Sequence, residues 1–520
     1  MVADRDDVDV VIVGGGHNGL VAAAYLARAG LRVRLLERLA HVGGAAVSAQ
    51  IFDGVDARLS RYAYLVSLLP ARITDDLGAA VRLARRPYSS YTPDPATAGR
   101  TGLLVGPQST FGAVGAHDDE RAFAAFYRRC RLVTERLWPT LVEPLRTREQ
   151  ARREVVDGGD NQAAAAWREM VDRPIGHAIA DAIGNDLVRG VVATDALIGT
   201  FARLDDPSLQ QNVCFLYHLI GGGTGEWHIP VGGMGAVSAA LAAAAVGGGA
   251  EIITGAEVYA INPNGEVHYR RRDDEHAVRG RFVLAGVTPS VLAGLLGERS
   301  SASAHGAQVK VNMVLRRLPR LRDDGVTPEQ AFSGTLHVNE TWTQLETAYS
   351  RAAANVLPDP LPCEIYCHSL TDPSILSPAL RESGGATLTV FGLHTPHALS
   401  ASRDLLTDAV LNSLNCVLAE PIQDVVMTDA NGLRCIETTT TRDLEHALGM
   451  TGGNIFHGAL RWPFADDDDR LDTPARQWGV DTAHERILLC GAGARRGGAV
   501  SGIGGHNAAM AVLAATGEQT

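Results

Sequence analysis

The stretch VDVVIVGGGHNGLVAAAYLARAGLRVRLLE, residues Val8–Glu37, decides the fold of the chain. Its first six residues are a short apolar run typical of a buried parallel strand. A glycine loop, Gly14–Gly19, follows, and the Ala-rich segment after it predicts a helix over 20–29. A second apolar run, Leu31–Leu36, predicts another strand that ends on Glu37. The order of strand, glycine loop, helix and strand predicts a βαβ unit.

The loop reads G-x-G-x-x-G, and each glycine has its own reason to be there. Gly14 permits the tight turn, Gly16 lets the backbone approach a pyrophosphate, and Gly19 lets the helix pack closely on the strand. The helix N-terminus offers free N–H groups and a partial positive charge to phosphates. Glu37, about 20 residues further on, can accept both hydroxyls of a ribose. The unit is therefore predicted to bind a dinucleotide with an unphosphorylated ribose.

Composition limits the size and partners of the molecule. The chain has 520 residues, of which 46% are hydrophobic, so two or at most three domains are expected. A net charge of −12 without a basic face argues against nucleic acid as a partner. The N-terminus has no apolar signal-peptide core, and the seven scattered cysteines form no metal-type pair of pairs. We expect a cytoplasmic protein without structural disulfides and without a metal site.

Two glycine-rich stretches resemble flavoproteins of the glutathione-reductase-like FAD superfamily. After Arg38, the pair Gly43-Gly44 resembles a mark of that superfamily, although Ala45 replaces the Arg that follows the pair in many members. Late in the chain, an apolar strand over 486–490 leads into a glycine-rich loop and a helix over 503–515, which resembles the second flavin contact. The resemblance implies non-covalent FAD, contacted in this loop by Gly491, Gly493, Gly498 and Val500.

Motifs in the middle of the chain indicate one family within this superfamily. The block WHIPVGGMGA, residues 227–236, resembles one found in phytoene-desaturase-like flavoenzymes, and Glu251–Ala260 resembles their strand, in which the Val258 backbone meets the adenine. Further stretches, such as GMTGGNIFHGAL from Gly449, look closest to the subfamily of pyridine nucleotide-disulphide oxidoreductase domain protein two. The resemblance covers nearly the whole chain. It implies an α/β fold in which a glutathione-reductase-like FAD-binding Rossmann domain carries an inserted α+β substrate domain, as in amine oxidases and phytoene desaturases.

The two predicted domains alternate along the chain. The FAD-binding domain takes residues 1–75, 228–300 and 475–520, and the substrate domain takes 76–227 and 301–474. No cysteine precedes Cys130 and no second strand-anchored G-x-G-x-x-G is found, so neither a disulphide reductase nor a separate NAD(P)H domain is expected. In the late loop, Arg495-Arg496 replaces the usual His-Pro, and we expect this exchange to alter the wall that faces the flavin.

Lys310 is the strongest candidate for a catalytic residue. It is the only lysine of the sequence, because every other one of the 47 Lys and Arg residues is an arginine. Its strand resembles the one whose lysine holds a water at flavin N5 in amine and polyamine oxidases, and an ammonium suits that task better than a planar guanidinium. His457, Arg61 and Tyr62 are further candidates for the cavity. For all four, a purely structural role stays open.

Three functions remain open. The first is an FAD-dependent dehydrogenase or desaturase that passes a hydride from an apolar small molecule to flavin N5, with oxygen or a quinone as acceptor. The second is an amine-oxidase-like flavoenzyme, which an aromatic pair facing the flavin would favour. The third is a binding protein of the GDP-dissociation-inhibitor type, which the intact glycines disfavour. The apolar stripe Phe215–Ile220 either lines a substrate tunnel, contacts a membrane surface peripherally, or is simply a buried helix.

Overall fold

The structure is a computed structural model that describes residues 7–156, 160–300 and 305–517. Two large sheets organise the chain, and most helices pack around them or lie between them. The two sheets take their strands from alternating parts of the sequence, so each is assembled from segments far apart in the chain.

The first sheet has seven strands, and its centre is parallel. Asp7–Val13 lies between the strand that ends at Ala285 and Val33–Glu37, and the turn between its own end and the following helix contains the glycine loop. Every strand falls within residues 1–75, 228–300 or 475–520. In spatial order the strands are Glu257–Ile261, Glu266–Arg271, Asp274–Ala285, Asp7–Val13, Val33–Glu37 and Glu251–Thr254, with Ile487–Leu489 pairing on Asp274–Ala285.

The second sheet also has seven strands and is antiparallel except for one pair. Its strands all fall within residues 76–227 and 301–474. In spatial order they are Ile436–Thr439, Val309–Leu315, Ala386–Gly392, Cys363–Tyr366, Thr335–Val338, Ser90–Pro93 and Gly102–Val105. Two small sheets add the pairs Ser48–Gln50 with Arg58–Ser60 and Leu83–Arg85 with His228–Pro230.

Eighteen α-helices occur in the described residues. Their bounds are His17–Arg28, Ala71–Leu77, Asp119–Leu137, Arg148–Val155, Asn161–Trp167, Ile175–Ala182, Asp186–Ala193, Gln210–Leu219, Met234–Gly247, Pro289–Leu295, Pro328–Ser333, Trp342–Ala353, His368–Thr371, Pro378–Glu382, Arg403–Asn415, Thr441–Leu448, Pro474–Gln477 and Ile503–Thr516. His17–Arg28 packs against both Met234–Gly247 and Ile503–Thr516, which joins the two ends of the chain. The first helix begins earlier than the predicted residue 20, because Gly16 is its N-cap.

Each large sheet has its own hydrophobic core. The first core joins the first sheet to the helices between residues 119 and 220. The second core lies on one face of the second sheet, where Val309, Val311 and Met313 alternate with side chains that point to the opposite face.

The apolar stripe Phe215–Ile220 belongs to the first core. Phe215, Leu216 and Ile220 are fully buried in or next to the helix Gln210–Leu219, so the stripe is not an exposed face that could contact a membrane. Among the described residues, no helix is both long and apolar enough to cross a bilayer.

Candidate active site

A cavity of about 1230 Å³ lies between the two sheets. Its wall includes the glycine loop of the first sheet and both ends of the late loop, the glycine-rich segment 491–502. The face of the second sheet opposite to the second core completes the wall. One continuous space therefore joins the predicted dinucleotide site to the second sheet.

The glycine loop has the geometry that its sequence predicts. Gly14 has a φ of +102°, which favours glycine, and a Cβ on Gly19 would lie 2.2 Å from the Gly14 carbonyl oxygen. A Cβ on Gly16 would have no atom within 4 Å, because Gly16 faces the cavity. No side chain caps the N-terminus of His17–Arg28. Its N–H groups are thus available to an anion in the cavity.

Glu37 lies on the cavity wall and is itself buried. Its two carboxylate oxygens accept hydrogen bonds of 2.7 Å from the backbone N–H groups of Gly15 and Leu39. These bonds fix the carboxylate beside the glycine loop and leave lone pairs on both oxygens. Arg38 and Val258 also line the cavity. The guanidinium of Arg38 donates to the carbonyl of Ala447.

The Gly43-Gly44 pair packs directly against the first glycine loop. Gly43 donates its N–H to the Gly15 carbonyl at 2.8 Å, and a Cβ on Gly44 would lie 3.1 Å from the Gly16 Cα. Gly44 lines the cavity, whereas Gly43 supports it from behind.

Only the two ends of the late loop reach the cavity. Gly491, Ala492, Ala499 and Val500 line it, and the His17 ring lies 3.2 Å from the Ala499 carbonyl oxygen through Nε2. Gly493 and Gly498 do not line it. A Cβ at these two glycines would lie 2.7 Å from Pro289 and from Leu460, respectively.

Arg495 and Arg496 point away from the cavity, so neither side chain contributes to its wall. The fully buried Arg496 guanidinium donates to the carbonyls of Thr140, Glu143 and Trp478 at 2.7–3.0 Å. Arg495 forms an ion pair with Asp469. The arginines anchor the loop to the helical region instead.

Lys310 is buried on the cavity face of the second sheet. Its ammonium donates to three consecutive backbone carbonyls, those of Ser60, Arg61 and Tyr62, at 2.6–3.0 Å. It also lies 4.9 Å from the centre of the Tyr64 ring. Burial lowers the pKa of Lys310 to about 7, and Glu437 opposes the shift. The ammonium thus holds the chain segment that borders the cavity.

Of the three other catalytic candidates, two line the cavity and one does not. Tyr62 and His457 line the cavity, whereas the Arg61 side chain does not and instead pairs with Glu437 at 2.8 Å. Burial, aided by the neighbouring His17, lowers the pKa of His457 to about 4. Burial also lowers the pKa of His17 to about 4. Both rings are therefore neutral at pH 7.

Sequence reasoning missed a row of side chains that crosses five strands of the second sheet. Residues that pair directly across strands lie on the same face. The pairs are Thr439 with Lys310, Lys310 with Phe391, Phe391 with Glu364, and Glu364 with His337. All five residues, which we call the cavity row, line the cavity. No signal in one sequence could align them, because their alignment depends on the register between strands that are far apart in the chain.

Two further groups flank the row. Tyr64 and Tyr366, both on the cavity wall, have ring centres 4.9 Å apart. Near Glu364 lie Asp195, which lines the cavity, and Glu340, which is buried behind it. Burial and the neighbouring Glu364 raise the pKa of Asp195 to about 8, and burial raises that of Glu364 to about 7.

Comparisons with known proteins agree with this architecture. The profile of the NAD(P)-binding Rossmann-like domain matches residues 12–71. An uncharacterized protein of Mycobacterium tuberculosis is 72% identical, with 99% of this chain and 98% of the relative covered. The rat (Rattus norvegicus) pyridine nucleotide-disulfide oxidoreductase domain-containing protein 2 is 30% identical, with 98% and 94% covered.

The chain belongs to the family of pyridine nucleotide-disulfide oxidoreductase domain-containing protein 2. It is an oxidoreductase family, as predicted. Cyclohexylamine oxidase from Brevibacterium oxydans has a similar fold, with a TM-score of 0.58 at 15% identity over 99% of this chain and 100% of the oxidase. The predicted family and fold class are confirmed.

Proposed function

We propose that this member of the family is an FAD-dependent dehydrogenase that oxidises an apolar small molecule and passes the electrons to oxygen or a quinone. The observation that carries the proposal is the single cavity that joins the glycine loop and Glu37 to the cavity row. A cofactor held at the first end would face a substrate held at the second.

The residues present fit FAD. The N-terminus of His17–Arg28 has no side-chain cap, the space at Gly16 is open, and the Glu37 carboxylate is fixed beside them. Gly491 and Val500 of the late loop complete the wall. The volume of about 1230 Å³ exceeds that of most small-molecule pockets, which leaves room for a dinucleotide and a substrate. When bound, FAD supplies the hydride acceptor for the reaction.

Apolar side chains in the wall beyond the cofactor end support an apolar substrate, although charged side chains of the cavity row lie in the same wall. The helical region contributes Phe123, Val191 and Ile198, and the second sheet contributes Phe391. These side chains exclude water and stabilise an apolar molecule by burial. Lys310 fixes the backbone of Ser60–Tyr62 and so positions the Tyr62 side chain at the cavity. His17 and His457, both neutral, add hydrogen-bonding groups without a charge.

A disulfide is a poor substrate for this cavity, despite the family name. All seven cysteines are described residues and are free, and none of them lines the cavity. Thiol–disulfide exchange requires an accessible thiolate, and burial raises the pKa of Cys130, Cys214 and Cys490 above that of an ordinary thiol.

An amine oxidase is the second candidate, and the Tyr64–Tyr366 pair favours it. Both rings line the cavity, and the Tyr64 ring lies beside Lys310. Two aromatic rings in contact offer an electron-rich surface for an amine.

Anaerobic reduction of the bound flavin tests both candidates. The purified protein is mixed in a stopped-flow instrument with carotenoids, apolar alcohols and amines, and the loss of flavin absorbance is followed. We expect bleaching by an apolar alcohol or carotenoid and slow or no bleaching by NADPH. Bleaching by amines alone would favour the second candidate. Rapid bleaching by NADPH, or a protein that binds no flavin, would contradict the proposal.

A further inference from the structure

Three polar side chains, to which the proposed reaction assigns no chemical step, converge at the His337 end of the cavity row. His337 and Glu364 are direct neighbours on adjacent strands. Asn339 then adopts a left-handed conformation with a φ of +59°, which turns the chain so that Glu340 returns toward His337. Ligand atoms of His337, Glu340 and Glu364, which we call the His337 cluster, all lie within 4.8 Å of one another.

The surrounding packing holds this arrangement in place. The helix Asp186–Ala193 passes so close to Glu340 that a Cβ on Gly190 would lie 1.8 Å from the Glu340 carbonyl oxygen. Directly after that helix, the Thr194 hydroxyl donates to Glu364 at 3.3 Å. The other carboxylate oxygen of Glu364 accepts from the Tyr366 hydroxyl. Glu364 is thus oriented by two donors, as metal-ligating carboxylates are.

Three buried polar atoms of His337 and Glu340 lack hydrogen-bond partners among the described residues. His337 is 5% exposed and Glu340 is 1% exposed, yet within the described residues neither His337 Nδ1 nor either carboxylate oxygen of Glu340 has a partner with hydrogen-bond geometry, although the Thr194 hydroxyl lies close to Glu340. His337 Nδ1 lies 3.4 Å from a Glu340 oxygen. Burial of unpartnered polar atoms is destabilising, and a ligand bound to the cluster would supply the missing partners.

The carboxyl groups in and around the His337 cluster are also suitable ligands for a cation. Asp195, Glu340 and Glu364 bring three carboxylates to one buried region, and Arg86 is the basic side chain beside them. The hydrogen bonds of the Arg86 guanidinium go to the Trp227 carbonyl at 3.2 Å and the Thr335 hydroxyl at 2.8 Å, not to the carboxylates. A divalent cation would displace protons from these carboxyl groups and bind their ionised form.

We propose that the His337 cluster binds one divalent first-row metal ion such as Zn²⁺ or Mn²⁺. One imidazole and two carboxylates are suitable ligands for these ions. Two ligand atoms of a tetrahedral ion with bonds of about 2.1 Å lie about 3.4 Å apart, which matches the spacing of His337 and Glu340. His337 and Glu364 line the cavity, so the ion has an open side toward the substrate region. An organic ammonium entering from the cavity would reach Glu364 but not the buried Glu340.

Metal binding to the purified full-length protein tests the proposal. The protein is dialysed against EDTA and then metal-free buffer, and ZnCl₂ or MnCl₂ is titrated by calorimetry, with elemental analysis of the product. We expect one ion per chain and, for Mn²⁺, an electron paramagnetic resonance spectrum of a bound ion. Glu340→Gln keeps the shape but removes the charge and should weaken binding at least about tenfold. Flavin content, measured in parallel, should not change.

His394→Gln is the matched control, because His394 is 1% exposed and both of its ring nitrogens also lack partners. It should bind the metal like the unaltered protein. If Glu340→Gln does not fold, as judged by circular dichroism, Glu364→Gln provides the same comparison. No stoichiometric metal, equal weakening by His394→Gln, or binding of an alkylammonium but of neither metal would overturn the proposal. Because flavin content is read separately, such a result would leave the proposed function standing.

Discussion

The two ends of the cavity are built from different kinds of atoms. The cofactor end is mostly backbone, with Gly14, Gly16 and Gly44 within one short stretch of sequence. The other end is made of side chains from five strands, and His337 and Thr439 at its extremes are separated by a hundred residues. The first end is therefore defined by local sequence, and the second by the register of a sheet.

Because of this difference, the two ends of the cavity tolerate different kinds of substitution. Backbone sites are sensitive to any added side-chain atom, because the backbone cannot move aside. Side-chain sites depend on the charge and hydrogen bonds of individual groups and can change without loss of the fold. Substitutions at the first end should therefore act through steric fit, and those at the second end through lost hydrogen bonds or charge.

Gly19→Ala should have the largest effect on the free energy of unfolding. The new Cβ would lie 2.2 Å from the Gly14 carbonyl oxygen, so the first helix must move off the first strand. We expect a loss of more than about 3 kcal/mol in the free energy of unfolding, measured by chemical denaturation. Gly294→Ala is the matched control, since its Cβ meets nothing within 4 Å in the helix Pro289–Leu295, and it should be neutral or stabilising. Equal stability of the two variants would contradict the account.

Lys310→Met should have an intermediate effect. It removes the donor from the carbonyls of Ser60 and Tyr62, which should cost about 2–3 kcal/mol of unfolding free energy. Bound FAD should remain, but flavin reduction or its reoxidation should slow, because the Tyr62 segment loses its anchor. Lys310→Arg should not restore the rate, since a planar guanidinium cannot occupy the same three-carbonyl site. An unchanged rate and stability in Lys310→Met would show that the lysine has neither role.

Protonation of His17 should have the smallest effect on stability, and only at acidic pH. Its pKa is lowered to about 4 in the folded protein but is about 6.5 when unfolded, so the unfolded state binds more protons between these values. Stability is thus lost as the pH falls below about 6.5. From pH 7 to pH 5 this histidine should contribute up to about 2 kcal/mol of that loss. His17→Gln should lose less stability than the unaltered protein over this range, in denaturation curves at both pH values.

The cofactor end could be predicted from the sequence almost residue by residue. The roles of Gly14, Gly16 and Gly19 follow from the spacing alone, and the structure gives each the expected geometry. The differences from the predicted wall there concern residues that lie behind it. Gly493 and Gly498 pack against side chains, and Arg495 and Arg496 turn away to anchor the loop.

The second end could be predicted only in part. Lys310 was found because it is the single lysine, yet its three carbonyl partners depend on a segment 250 residues away. Phe391, Glu364 and His337 carried no local signal, because a one-residue shift in register would put each on the opposite face. Glu340 joins them only through the left-handed turn at Asn339, which its neighbours in sequence do not indicate.

The most direct test of the central claim, that a backbone cradle holds FAD at one end of the cavity, is the flavin content of the purified protein beside that of Gly16→Ala. The Gly16 Cβ position is open on the protein side, and φ at this residue is −66°, which alanine adopts freely. We predict one non-covalent FAD per chain in the unaltered protein. In Gly16→Ala we predict at least about tenfold weaker FAD binding, with the unfolding free energy of the flavin-free protein unchanged to within about 0.5 kcal/mol. A flavin-free unaltered protein, or a Gly16→Ala variant that binds FAD equally well, would contradict the account.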